Sequence, residues 1–156
     1  MKKSREKELL QLDNAASPND IERAASILAK KGKSILPKLI DYTRRFPLRF
    51  HRREKVMQVI KKMGYPENEI AIPFMLDLAA DPNSFGWSLA THVILDIGDP
   101  VVPELKKAIY YYLDRSDDFR LALETLYDLI ERFDPKVQMH LQTEMKLIKE
   151  ELEKGV

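Results

Sequence analysis

The chain has 156 residues, 44% of them apolar and 33% charged, with 26 Lys/Arg against 25 Asp/Glu and no cysteine. That size and balance predict one soluble domain with a buried core, and five glycines are too few for a turn-dense all-β fold. Without cysteine there are no disulfides, no thiolate chemistry and no Cys-ligated zinc. The charged start (Lys2, Lys3, Arg5, Glu6) and the lack of any run of about 20 apolar residues predict a cytoplasmic chain with no signal peptide and no membrane span.

A short helix is predicted over residues 4–13, with Leu9, Leu10 and Leu12 on one side. Four helical hairpins follow, over about 17–46, 47–80, 83–114 and 116–154. In the first, Ser17 is a natural N-cap with Pro18 at the first helical position, and Ile21, Ala24, Ala25 and Leu28 recur at helical spacing. Gly32 ends that helix, and its partner, starting near Ser34, carries Leu36, Leu39, Ile40 and Thr43. In the second hairpin Val56, Val59, Ile60 and Met63 form the stripe and Gly64 closes it. The connection then runs about four residues longer, through Tyr65-Pro66-Glu67-Asn68, before a helix with Ile72, Met75, Leu76 and Ala79.

In the third hairpin Leu89, Val93, Ile94 and Ile97 precede Gly98, and Asp99-Pro100 caps and starts a helix with Val102, Leu105, Ala108, Ile109 and Tyr112. In the fourth, Ser116-Asp117 starts one helix and Asp134-Pro135 the last, which carries Val137, Leu141, Met145, Ile148 and Leu152.

Three prolines, Pro37, Pro73 and Pro103, stand in near-identical settings, each after one of the glycines Gly32, Gly64 and Gly98. Self-similarity at 32–34 residues is the mark of stacked helical hairpins. Each proline falls in or near a first helical turn, where a missing N–H costs least. The stretch Ile97-Gly98-Asp99-Pro100-Val101-Val102-Pro103-Glu104-Leu105 resembles a HEAT-like repeat, with weaker copies at 33–40 and 71–78. In the fourth unit Phe133 replaces the glycine. The resemblance covers about residues 17–140 and implies an all-α, right-handed α-solenoid of about four hairpins plus the short N-terminal helix. HEAT-like proteins mostly bind other proteins. Some bind or repair DNA, some are bilin lyases, and some small bacterial ones resemble toxin-neutralising immunity proteins. Fold does not choose among these.

Residues 44–55 hold six Lys/Arg against one Glu, with Phe46 and Phe50 interleaved. Arg45, Arg49, Arg52 and Arg53 are the candidates for charge-assisted contacts to a partner. The phenylalanines either plug the core or meet that partner. If the arginines all face solvent, alanine at Arg49, Arg52 and Arg53 leaves stability nearly unchanged. Trp87 either anchors a partner or packs between hairpins. Tyr112 continues a buried stripe, and of its neighbours one, Tyr111 in the groove reading, faces a concave side together with Lys107.

Residues 1–80 carry a net charge of +7 and residues 81–156 a net of −6. Such polarity orients a charged partner and favours an acidic protein surface over nucleic acid, which the acidic half would repel. His51, His92 and His140 form no metal motif, and no nucleophile elbow or phosphate loop is present. The expectation is a non-enzymatic protein-binding module without cofactor or metal, an immunity protein being one form. A nucleic-acid-binding or DNA-repair protein is the alternative.

Overall fold

Local chemistry sets the helix boundaries. Ser17 accepts the N–H of Asp20 through its hydroxyl at 3.1 Å, and Pro18 opens the helix behind it. Asp134 accepts the N–H of Lys136 at 2.9 Å, with Pro135 following. Both starts match the sequence signals, since a side-chain oxygen satisfies an N–H that the first turn leaves without an acceptor.

The computed structural model describes residues 2–45 and 51–155. Among these there are ten α-helices and no strand. They are α1 (Lys2–Asn14), α2 (Pro18–Ala29), α3 (Leu36–Arg45), α4 (His51–Met63), α5 (Ile72–Ala79), α6 (Trp87–Ile97), α7 (Val102–Leu113), α8 (Arg120–Glu131), α9 (Pro135–Met139) and α10 (Gln142–Glu153). No helix among the described residues is long and apolar enough to cross a membrane.

Gly32, Gly64 and Gly98 have φ of 75°, 73° and 73°, which side chains rarely adopt. A three-residue 3₁₀ turn precedes each of α3, α5 and α7: Lys33–Ile35, Glu69–Ala71 and Asp99–Val101. The α-helices therefore begin later than Ser34 and Asp99-Pro100 suggested, and each proline is the second residue of its helix. The turn is closed by an i to i+3 bond. Ile35 N–H donates to the Gly32 carbonyl (3.2 Å) and Val101 N–H to that of Gly98 (3.0 Å). In the middle copy Ala71 N–H donates to Asn68 instead (2.9 Å), because four extra residues separate Gly64 from its turn. Asn68 is buried and ties that insertion down by donating Nδ2 to the Ile60 carbonyl at 3.1 Å.

Two compact units divide the chain, Met1–Ala71 and Ile72–Val156. In the first, α2 packs on α4, α1 on α2, and α3 on α4. Leu12, Leu28, Leu36, Leu39, Met57 and Ile60 are fully buried there. In the second, α5 packs on α6 and α7, α7 on α8, and α10 on both α7 and α8, around Met75, Ile94, Leu105, Ile109, Leu126 and Ile148. Burying each such side chain contributes about 1.5–3 kcal/mol.

Two elements differ from expectation over residues 116–154. Its first helix begins at Arg120, since residues 115–119 close tight turns of their own: Asp118 and Phe119 N–H both donate to the Arg115 carbonyl. The last helix is broken at His140–Leu141, where N–H groups bond three residues back. Gln138 explains the break. Its Nε2 donates to the carbonyls of Glu131 (3.0 Å) and Phe133 (2.9 Å), so α9 closes the C-terminal end of α8 while Leu141 turns fully inward.

Candidate functional site

In the first unit the richest polar cluster centres on Asp13, at the end of α1. Arg52 in the first turn of α4 forks onto it, Nε to Oδ1 at 2.9 Å and Nη2 to Oδ2 at 3.0 Å. Tyr42 of α3 donates its hydroxyl to the same Oδ1 at 2.5 Å, and the Arg52 guanidinium lies 4.1 Å from the centre of the Tyr42 ring. The Asp13 and Arg52 side chains are 10% and 8% exposed. The hydrogen bond it donates to Asp13 makes Arg52 hold its proton more firmly than a free guanidinium, against the opposing effect of burial. Lys55, a turn further along, donates to the Asp13 carbonyl at 2.7 Å. Burial pushes its ammonium pKa down, while the Asp13 charge opposes that shift and the Arg52 charge adds to it.

This corrects the reading of residues 44–55. Arg52 is not a solvent-facing arginine; it is buried and clamps α1 to α4. The reason is its register: it stands four residues before Val56 on the buried stripe of α4. Arg45 is exposed and donates Nε to Asp41 at 2.7 Å, a surface pair worth a few tenths of a kcal/mol. Arg44 is exposed and Arg53 half-buried. Arg49, Phe46 and Phe50 lie outside the described residues.

A cavity of about 400 Å³ adjoins the cluster, lined by Asp13, Asn14, Ala15, Ala16, Ile21, His51, Glu54, Lys55 and Gln58. On the other side of Asn14 and Ala15, a groove of about 500 Å³ runs between α1 and α2. Leu10 and Ile27 line it and are 58% and 41% exposed, with Lys7, Arg23 and Asp20 at its rim.

In the second unit Trp87, the first residue of α6, is half-buried and donates its indole N–H to the Ala79 carbonyl at 3.1 Å. It lines a cavity of about 330 Å³ between α6 and α8 that does not include Lys107 or Tyr111. Those two lie on another surface, a row along α7. There Lys107 pairs with Glu104 at 3.0 Å, and the Arg115 guanidinium lies 3.9 Å from the centre of the Tyr111 ring. Tyr112 is half-buried, as its stripe requires, but Tyr110 and Tyr111 are both exposed.

Tyr110 donates its hydroxyl to Glu144 at 3.2 Å, and Lys106 reaches the same carboxylate at 3.4 Å. Glu144 is 3% exposed. Sequence reasoning missed both Glu144 and the Asp13–Arg52 pair. A signal existed for each: Glu144 falls at i+3 from Leu141 and i−4 from Ile148, and Arg52 at i−4 from Val56. A charged residue on an apolar stripe is a buried, paired charge when its helix packs on both sides.

No group of three His, Cys, Asp or Glu side chains among the described residues is arranged to hold a metal ion. The structure thus defines an all-helical protein of two units. Their sequences carry opposite charge: 17 Lys/Arg and nine Asp/Glu in residues 1–71, a net of +8, against nine and 16 in residues 72–156, a net of −7. Comparison with protein families, with curated proteins and with solved structures finds no match.

Proposed function

We propose that the chain is a HEAT-like repeat protein, a right-handed α-solenoid of about four hairpins, that binds another protein without catalysing a reaction. The partner presents an acidic, amphipathic surface. The observation that carries this reading is the groove between α1 and α2, where Leu10 and Ile27 stand exposed in a lining that also holds Lys7, Arg23 and a single carboxylate, Asp20, in a unit of net charge +8. Exposed apolar side chains gathered in a groove with a basic rim suit a partner helix that is apolar on one face and acidic beside it. Arg45 and Arg53 extend the basic surface; Arg52 does not, being committed to Asp13. The three copies of the glycine, 3₁₀ turn and proline support the repeat assignment. A toxin-neutralising immunity protein is one concrete form, resting on the HEAT resemblance alone.

The test is affinity capture from nuclease-treated lysate of the source cells, comparing the wild type with Leu10→Asp/Ile27→Asp and with Arg45→Ala/Arg53→Ala, each checked for unchanged helicity. A protein retained by the wild type and lost by the groove variant supports the proposal. Capture indifferent to both variants, or of nuclease-sensitive material only, overturns it, and the latter favours the nucleic-acid alternative.

A further inference from the structure

We infer that the cavity between α6 and α8 is a recognition pocket for an arginine side chain of a partner protein. This rests on the reading of the chain as a protein-binding module and adds a second site of opposite charge preference, confined to the second unit.

Three observations meet there. Trp87 is held by its bond to Ala79, so its ring is a fixed wall, and it is flanked by the half-exposed Leu121. An indole face is the best aromatic partner for a guanidinium, whose plane stacks on it while its stem lies along apolar surface. Next, α8 presents Arg120, Glu124 and Asp128 at successive four-residue steps, Arg132 follows just past its end, and the last three line the cavity. Arg120 reaches Glu124 at 3.5 Å but gives its Nη2 to the Leu152 carbonyl. The cavity lining thus carries two carboxylates, Glu124 and Asp128, against one arginine, Arg132, and the unit around it has a net charge of −7.

The third observation is Thr91, one turn beyond Trp87 on α6. It lines the cavity and is 3% exposed, and its hydroxyl has no hydrogen-bond partner. A helical threonine ordinarily donates back to the carbonyl four residues earlier, as Thr125 across the cavity does to Leu121 at 2.7 Å. A buried hydroxyl left open is costly, and an N–H donor arriving from a ligand would satisfy it. Trp87, the carboxylates of Glu124 and Asp128, and Thr91 together offer a stacking face, negative charge and a buried hydroxyl. Arginine meets all three, whereas a neutral isostere meets only the first and last.

Trp87 is the chain's single tryptophan, so its emission reports on this pocket alone. The probe is the peptide acetyl-Gly-Leu-Arg-Leu-Gly-amide, titrated into the whole protein beside the same peptide with citrulline for arginine. The expected result is a saturable change in Trp87 emission with the arginine peptide, at least tenfold tighter than with citrulline. That preference disappears in Asp128→Asn, whereas Thr91→Val weakens the binding of both peptides alike; both variants keep the wild-type far-UV spectrum. Equal binding of the two peptides, or no saturable change at low-millimolar arginine peptide, overturns the inference. Groove-dependent capture by the wild type would survive that result, because Leu10 and Ile27 are no part of this pocket. Capture that is indifferent to the groove variant, with arginine recognition intact, would sink the α1–α2 reading instead.

Discussion

Arg52→Ala should be the most destabilising single arginine substitution among the described residues. The wild-type side chain forks onto Asp13 through two bonds of 2.9 and 3.0 Å, both partners about nine-tenths buried, and stacks on Tyr42. Removing it strips the Asp13 carboxylate of its forked partner, while the Tyr42 hydroxyl still donates to it. Breaking a buried pair from one side costs about 3–5 kcal/mol, and the retained Tyr42 bond places this case near the lower end, ~3 kcal/mol. With a urea slope of ~1.5 kcal/mol per molar, the midpoint falls by ~2 M. The assay is urea unfolding followed by far-UV circular dichroism, with Arg53→Ala, a half-buried arginine, expected to lose no more than ~0.5 kcal/mol. Far-UV dichroism sees every helix, whereas Trp87 emission reports on the second unit. The double variant Asp13→Asn/Arg52→Met should recover part of the loss, since no uncompensated charge remains. If Arg52→Ala unfolds within ~0.5 kcal/mol of the wild type, the pair does not hold α1 to α4 and the reasoning fails.

Gly98→Ala should cost about 1–3 kcal/mol from its backbone conformation alone, since φ is 73° and ψ −128° and nothing lies within 4 Å of an added Cβ; a thermal melt at the wild-type midpoint would refute it. The Tyr112 phenol has its pKa raised above the usual value, first by burial and then by the charge of Asp77. The folded state therefore keeps a proton that the unfolded chain gives up near pH 10, so stability falls as pH rises through that range, and Tyr112→Phe should remove this part of the slope. Glu151 titrates below the usual carboxylate range because Ser116 donates to it at 2.7 Å, with Lys154 adding to the effect. Its stabilisation is present above the ordinary glutamate pKa of about 4.3 and is lost as pH falls through its lowered folded value; Glu151→Gln should destabilise at pH 7 and leave stability at pH 2 unchanged.

Where several helices begin and end was legible from small signals. Ser17-Pro18 and Asp134-Pro135 announced their helices, because caps and prolines act within one turn of chain. The three glycines marked positive φ, and the four-residue insertion after Gly64 could be counted directly. What was not legible depended on neighbours distant in sequence. Gln138 breaks the last helix only because it reaches back to Glu131 and Phe133, and Trp87 lines a cavity only because α8 lies across from α6.

The charged residues divide the same way. That residues 44–55 are rich in arginine is a property of the sequence; which arginine faces water is decided by helix register and by what waits opposite. Arg52 turns inward because Asp13, 39 positions earlier, meets it there, and Glu144 is buried because Tyr110, 34 positions earlier, supplies its hydroxyl. Backbone preference and capping are short-range and were fixed by the sequence itself. Desolvation and ion pairing depend on long-range packing, and only the tertiary structure could assign them.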